Sequence, residues 1–303
     1  MTPPAPRIGI VVTDAAAYSD EDPDHDTPIL LDALRRRGAA AEAVVWHDNG
    51  VDLASFDLLA IRSPWDYPER PVEFQAWLDR AAAATRVVNA PATMRWNLDK
   101  HYLADLERVG IRVVPTAYAT SSAEARDALT AHPRVVVKPA VSAGARDTGL
   151  FDGADPRALA LAERIIDGGG TAMIQPEVPE LSRGWEKALY LIDGVFTHAI
   201  SKGALLEVGG GLIGGVYEEH PEQVPAHDDE VAFATEVVRA VQSITGGALP
   251  LYARVDTVRS RAYGLVLLEV ELVEPALNLH VAPYAIDAVV DALLRAAAGP
   301  DAP

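Results

Sequence analysis

The stretch LLEVELVEP, Leu267–Pro275, sets Glu269, Glu271 and Glu274 in a run that is otherwise apolar. In an extended strand successive side chains face opposite sides, so Glu269 and Glu271 share one face and Val270 and Leu272 the other. Backbone rise keeps the two acids about 7 Å apart. Just upstream, LYARVDTV (251–258) reads as a partner strand, with RSRAYG (259–264) as the hairpin turn between them. Folding that hairpin about its middle predicts Asp256 opposite Glu269, projecting to the same side. Three carboxylates in one semi-buried volume repel one another, so something positive has to sit among them. Magnesium suits such a set, because it prefers oxygen ligands, keeps waters, and uses one or two carboxylates together with substrate phosphates. Arg254 lies on the same face, two residues before Asp256, where it either balances the acids or contacts a transferring phosphoryl group. The competing reading is a solvated edge strand lined with acids, and the arginine weakens it.

Composition narrows the classes. The chain has 303 residues, 49% of them hydrophobic, enough for a large core and, by length, about two domains. A net charge of -18 argues against a sequence-independent nucleic-acid binder, which needs basic surface to neutralise phosphates. The start, MTPPAPRIGIVV, lacks a charged leader with a long apolar core, and no apolar run reaches membrane-spanning length. The expectation is a cytoplasmic protein with no membrane partner. Cysteine is absent, so any metal has to be held by oxygen or imidazole.

RIGIVV (7–12), the helical pattern TPILLDALRRRG (27–38), and the strand-then-loop FDLLAIRSPWDYP (56–68) begin an alternation of strands and helices. That alternation predicts a parallel sheet covered on both faces over about residues 1–90. It is Rossmann-like but carries no GxGxxG, so it is not read as a dinucleotide site. NLDKHYLADLERVG (97–110) reads as one helix with Asn97 as N-cap and Gly110 as its stop. Beyond it, paired strands with flanking helices indicate an α+β region.

Lysine is scarce: Lys100, Lys138, Lys187 and Lys202 stand against 22 arginines. Lys138 ends the apolar strand RVVVKP (134–139), where an ammonium is expensive to desolvate unless an anion meets it; the alternative is a snorkelling surface lysine. The loop that follows, SAGARDTG (142–149), offers Ser142 and Gly144, whose amides have room to approach phosphate oxygens, although no GxxxxGK[ST] is present. EVGGGLIGGVYEEH (207–220) is either a mobile surface loop or a lid. RSPWDYPER (62–70) follows the third strand, where the carboxyl ends of parallel strands present ligand loops. Arg62 or Ser63 there would bind a small substrate carboxylate or amine, with Trp65 and Tyr67 as walls; the alternative is a packed aromatic loop. His198, His220 and His280 have no partners at motif spacing and read as structural.

The order of these pieces resembles the ATP-grasp superfamily, from a lysine in WNLDKHYL through a strand lysine with a small-residue loop and MIQPEV to RVD and LLEVE. The resemblance runs from about Arg95 to Leu279, and GWEKALYLIDGVFTHAISK places it near the glutathione-synthetase-like and RimK-like branch. It implies an ATP-grasp fold, α/β and α+β, behind an N-terminal Rossmann-like (pre-ATP-grasp) domain. The boundaries expected are 1–92 for a substrate-side domain and 93–303 for the ATP-grasp region, with a lid subdomain at about 115–180 and a catalytic one at about 181–303. ATP and one or two magnesium ions are the implied cofactors. Lys100 and Lys138 match the family's phosphate-binding lysines, Gln175, Glu177 and Val178 its adenine hinge, and Glu186 a ribose-side contact. Asp256, Glu269 and Glu271 match its metal ligands, with Glu271 where the family usually carries Asn, a departure that alters the metal's charge balance. Arg254 and Lys202 would surround the transferring phosphate, whereas Lys187 alternates away. The implied reaction activates a small amino-acid-type carboxylate as an acylphosphate for attack by nitrogen. Its most specific form is ring closure of O-ureido-D-serine to D-cycloserine, and its rivals are intermolecular carboxylate–amine ligation of the dipeptide-forming or glutathione-synthetase-like kind and a non-catalytic ATP-binding scaffold. A homodimer is expected for this architecture.

Overall fold

A computed structural model describes residues 4–18, 23–142, 144–213 and 220–299. Its first sheet is built from β1 (Arg7–Val12), β2 (Ala40–Val45), β3 (Leu58–Ser63) and β4 (Val87–Val88) in the order β2-β1-β3-β4, all parallel. Every residue of β3 is buried, as a strand covered on both faces requires. The period of two divides its core: Leu58 and Ala60 join Ile8 and Ile10 on one side, Leu59 and Ile61 join Val11 on the other. On the second side lies α2 (Pro71–Ala84), through Phe74, Trp77 and Leu78. On the first side lie α1 (Asp26–Arg36) and, from the far end of the chain, α8 (Ile286–Ala298), whose Val289, Val290 and Leu293 share a core with Leu30 and Leu34. The last helix therefore closes over the first sheet.

Two antiparallel sheets follow. One contains β5 (Ala117–Ala119), β6 (Arg134–Pro139), β7 (Gly149–Asp152) and β8 (Ala172–Pro176) in the order β5-β8-β6-β7, with α5 (Ser122–Thr130) and α6 (Pro156–Asp167) packed on it. The other runs β11-β10-β9-β12-β13: β9 (Lys187–Ile192), β10 (Val195–Ser201), β11 (Glu222–Gln223), β12 (Tyr252–Ser260) and β13 (Gly264–Glu271). Ala253 and Val255 of β12 pack toward α7 (Asp228–Thr245) through Val237 and Val241. Tyr252, Arg254 and Asp256 therefore face the opposite side.

The hairpin expectation holds. Asp256 pairs with Glu269 and Arg254 with Glu271, and the register shifts between Asp256 and Thr257 so that Leu268 has no partner of its own. The single helix expected over 97–110 is instead two, α3 (Pro91–Asn97) and α4 (Tyr102–Arg108). Asn97 ends the first rather than capping the second. Its amide donates to Val270 O at 2.7 Å and its oxygen accepts from Leu272 N at 2.8 Å, so the side chain serves the edge of β13. Lys100 accordingly sits in the turn between α3 and α4, held by its own N–H to Ala140 O at 2.8 Å. Gly110 stops α4 as expected, at φ 97.

The described part of the glycine-rich segment docks on β7: Leu150 N donates to Gly210 O at 3.0 Å and Gly209 N to Leu150 O at 2.7 Å. A Cβ on Gly149 would meet Gly210 O at 3.1 Å, so the close approach requires the small residue. Gly214 and Gly215 lie outside the described residues. Among the described residues no helix is long and apolar enough to cross a membrane.

Candidate active site

β12 and β13 form the floor of a deep pocket, β6 and β8 its opposite wall, and the α3–α4 turn one end. The floor holds Asp256, Glu269 and Glu271, and each acid has a cation. Lys100 Nζ lies 3.0 Å from Glu269 Oε1 and donates to Ser142 O at 2.8 Å. Lys202 Nζ reaches Asp256 Oδ2 at 2.6 Å and Glu186 Oε1 at 3.4 Å. Arg254 grips Asp256 through Nε at 3.0 Å and Nη2 at 3.0 Å, and also meets Glu271. Lys138 lines the same pocket but has no ion-pair partner among the described residues. That leaves one desolvated cation available to a ligand anion.

The charges are tuned by their surroundings. Burial pushes the Glu269 carboxyl up, but Lys100 and Lys138 outweigh it and hold its pKa below the usual carboxylate range. Asp256 is held low against its burial by Arg254 and Lys202. Glu271 goes the other way, to about 8, because burial and the Glu269 charge exceed the pull of Arg254. Burial lowers Lys138, while for Lys100 the field of Glu269 overcomes burial and raises it.

The third acid of the opening stretch does something else. Glu274, past the end of β13, lines the pocket and pairs with the Tyr67 hydroxyl. Its carboxyl is pushed up by burial, and Tyr67 is raised well above its ordinary value for the same reason. Sequence reading singled out Tyr67 but assigned no role to Glu274. The signal available was its position in the same apolar run.

The far end of the pocket is apolar, lined by Val114, Val136, Val178, Leu181 and Leu268. Gln175, Glu177 and Val178 stand beside it on and after β8. Gln175 Nε2 donates to Thr116 Oγ1 at 2.8 Å, and Glu177 lies 3.5 Å from Arg134. Ser142, Gly144 and Glu186 line the pocket as well. Gln175, Glu177 and Val178 stood out in the sequence through MIQPEV; the other valines and leucines of this end look like any others until the sheets face each other.

The RSPWDYPER segment is divided. Tyr67 lines the pocket, whereas Arg62, Ser63 and Trp65 lie behind it. Arg62 is 2% exposed, donates to Pro275 O, and stacks over the Tyr252 ring at 4.7 Å. Ser63 is tied to Tyr18 and Asp24, and Trp65 Nε1 approaches Glu274 O at 3.5 Å. His198 is buried between the Tyr190 ring, stacked at 4.1 Å, and Leu277 O, to which its Nε2 lies at 2.8 Å. Lys187 pairs with Glu230 at 2.9 Å, away from the pocket. Both are structural, as expected.

No group of three acids or histidines among the described residues stands close enough to hold a metal unaided. The donors are nevertheless all oxygen and share one face of one hairpin, and a magnesium ion that brings phosphate oxygens with it needs only one or two carboxylates from the protein. Asp256, Glu269 and Glu271 fit that ion, not a preformed cage.

A paired-carboxylate hairpin, lysines on two other elements and an apolar slot between two antiparallel sheets define an ATP-grasp enzyme. Comparison with known proteins agrees. A family model described as the N-terminal domain of D-cycloserine synthetase DcsG matches residues 8–89. The cycloserine biosynthesis protein DcsG of Streptomyces lavendulae is 36% identical over 279 residues, covering 89% of this chain and 92% of the relative. The crystal structure of D-cycloserine synthetase DcsG superposes with a TM-score of 0.87 at 33% identity, over 95% of this chain and 98% of that one. A D-alanine–D-alanine ligase from Bacillus anthracis complexed with ATP shares the fold at a TM-score of 0.66 and 15% identity, over 97% of each chain. The chain belongs to the D-cycloserine synthetase DcsG family of ATP-grasp ligases. It is an ATP-dependent ligase.

Proposed function

We propose that this ligase activates the carboxylate of a small amino acid as an acylphosphate and closes a ring on it, converting O-ureido-D-serine to D-cycloserine. The relatives named for that product support the substrate class. The observation that carries the reading is the β12–β13 floor, where Asp256, Glu269 and Glu271 are each matched by a cation. Phosphoryl transfer needs positioned charge more than a protein nucleophile, and the chain supplies no cysteine for one.

In this reading the apolar end, with Gln175, Glu177 and Val178, receives adenine, and Glu186 stands on the ribose side. Lys100, Lys138 and the Ser142–Gly144 loop hold phosphates, and Asp256, Glu269 and Glu271 would hold magnesium in place of their present cations. Bound magnesium-ATP supplies the γ-phosphoryl group and neutralises its charge. Arg254 and Lys202 orient that group while a substrate carboxylate oxygen attacks phosphorus and ADP leaves. The ureido nitrogen bonded to oxygen then attacks the acyl carbon, and phosphate departs. Water then cleaves the carbamoyl group from that nitrogen as carbamate, which breaks down to carbon dioxide and ammonia, and D-cycloserine is left. Residues 1–92 would serve the substrate, 115–180 the lid and 181–303 the chemistry, with Arg62, Ser63, Trp65 and Tyr67 on the substrate side.

The test is phosphate release from magnesium-ATP across small amino acids, with mass detection of products. Release with O-ureido-D-serine alone and a cyclic product confirm the reading. A product formed only when a second amine is added replaces it with intermolecular ligation.

A further inference from the structure

Among the described residues, the buried side-chain atoms without a hydrogen-bond partner are Thr13 Oγ1, Thr27 Oγ1, Arg62 Nε, Arg62 Nη1 and Glu180 Oε2. Native interiors leave few such atoms, because each has lost water without replacement. Here all but the glutamate oxygen belong to residues at the carboxyl ends of β1 and β3 or in the first turn of α1. Thr13 follows β1 and donates its backbone N–H to Ser63 O, at the end of β3, at 3.1 Å. Thr27 stands in the first turn of α1, its N–H on Asp24 Oδ1 at 3.0 Å, and the other Asp24 oxygen accepts from Ser63 Oγ. Arg62 immediately precedes that serine.

This place has a topological meaning. The order β2-β1-β3-β4 sends the chain to opposite sides of β1, so the gap between β1 and β3 is the switch point. Open α/β sheets bind ligands there, outside the carboxyl ends of the strands. Arg62 adds an electrostatic argument. It is buried, it has no ion-pair partner among the described residues, and its protein contacts are the Pro275 carbonyl and the ring and hydroxyl of Tyr252. A buried guanidinium without a counter-ion is costly unless a ligand provides one. Asp24, partly exposed on the same rim, has the opposite sign.

We propose that the crevice between β1 and β3 seats a zwitterionic amino-acid head group, with the carboxylate on Arg62, the ammonium on Asp24, and the Thr13 and Thr27 hydroxyls completing its hydrogen bonds. This rests on the ligase reading above and deepens its substrate side. The crevice abuts the nucleotide pocket, since Arg62 donates to Pro275 O beside the pocket-lining Glu274.

Thr13→Val and Thr27→Val remove only a hydroxyl and keep the shape, and Arg62→Met removes the charge. If these atoms wait for a ligand, the valine variants melt no lower than wild type, because an unpartnered buried hydroxyl is lost. Calorimetry with O-ureido-D-serine, D-serine and L-serine should show each valine variant binding the preferred amino acid about tenfold more weakly, and Arg62→Met roughly a hundredfold more weakly. ADP affinity should be unchanged. Wild-type affinity in all three variants, or no binding of any panel amino acid to the wild type, overturns the crevice. Binding that depends on these residues without phosphate release from ATP supports the crevice and removes the ligase reading instead. Release with unchanged KM in the variants does the reverse.

Discussion

The floor of the β12–β13 pocket and the crevice of the first sheet treat buried charge in opposite ways. On β12 and β13 each acid is already paired: Glu269 with Lys100, Asp256 with Arg254 and Lys202, Glu271 with Arg254. At the ends of β1 and β3, Nε and Nη1 of Arg62 and the hydroxyls of Thr13 and Thr27 have no hydrogen-bond partner among the described residues. A self-neutralised cluster can be buried without ligand, and it binds by exchanging partners. An unsatisfied crevice carries a desolvation cost that a ligand or an ordered water relieves. The comparison teaches that net charge alone does not locate a binding site; what matters is which buried groups lack a partner and which have one they can give up.

The largest expected effect breaks the floor. Glu269→Gln removes the carboxylate paired with Lys100, and turnover should fall by about a hundredfold or more, on the scale of losing one group that stabilises transition-state charge. Stopped-turnover assays with circular dichroism as a folding control measure it, and wild-type kcat in the variant would sink the assignment. Next, Lys138→Ala removes the pocket lysine that has no ion pair among the described residues. ADP affinity should drop roughly 10- to 100-fold, as for a charge-assisted hydrogen bond, while thermal stability is kept or raised because burial of that ammonium is unfavourable.

A third effect falls on the link between the two regions. His198 touches Leu277 O, and Leu277 and Leu279 donate their N–H groups to Asp26 at the start of α1. Burial lowers the His198 pKa from 6.5 to about 4. The unfolded chain therefore binds this proton more readily than the folded one. The contribution is fully present above pH 6.5 and is lost as pH falls toward 4, by about 3 kcal/mol in total. Urea unfolding at several pH values should show that slope, and His198→Phe should flatten it. The smallest effect belongs to neither region. Ser121 caps α5, accepting from Glu124 N at 3.3 Å, and Ser121→Ala should cost about 1 kcal/mol with unchanged ADP affinity.

The strand-borne chemistry was legible in the sequence because a strand's period of two converts spacing directly into a shared face. Asp256 opposite Glu269 followed from counting across RSRAYG. The helix containing Lys100 was misread because Asn97 reads as an N-cap and Gly110 as a stop, whereas the Asn97 side chain is engaged by the edge of β13 instead. The apolar end of the pocket was invisible for a different reason: Val136 and Leu268 come from different sheets, and nothing local marks them as neighbours. Thr13 and Thr27 were equally silent, since an unpaired hydroxyl is a property of its surroundings and not of its sequence.

The most direct test of the floor is a Mn2+ titration, with Mn2+ standing in for magnesium, followed by paramagnetic resonance with and without ADP. Because Lys100, Lys202 and Arg254 already neutralise the acids, the expected result is weak binding to the free protein, tight binding once ADP is present, and loss of that tight site in Glu269→Gln. Tight binding without nucleotide, or a nucleotide-dependent site that survives Glu269→Gln unchanged, would contradict it.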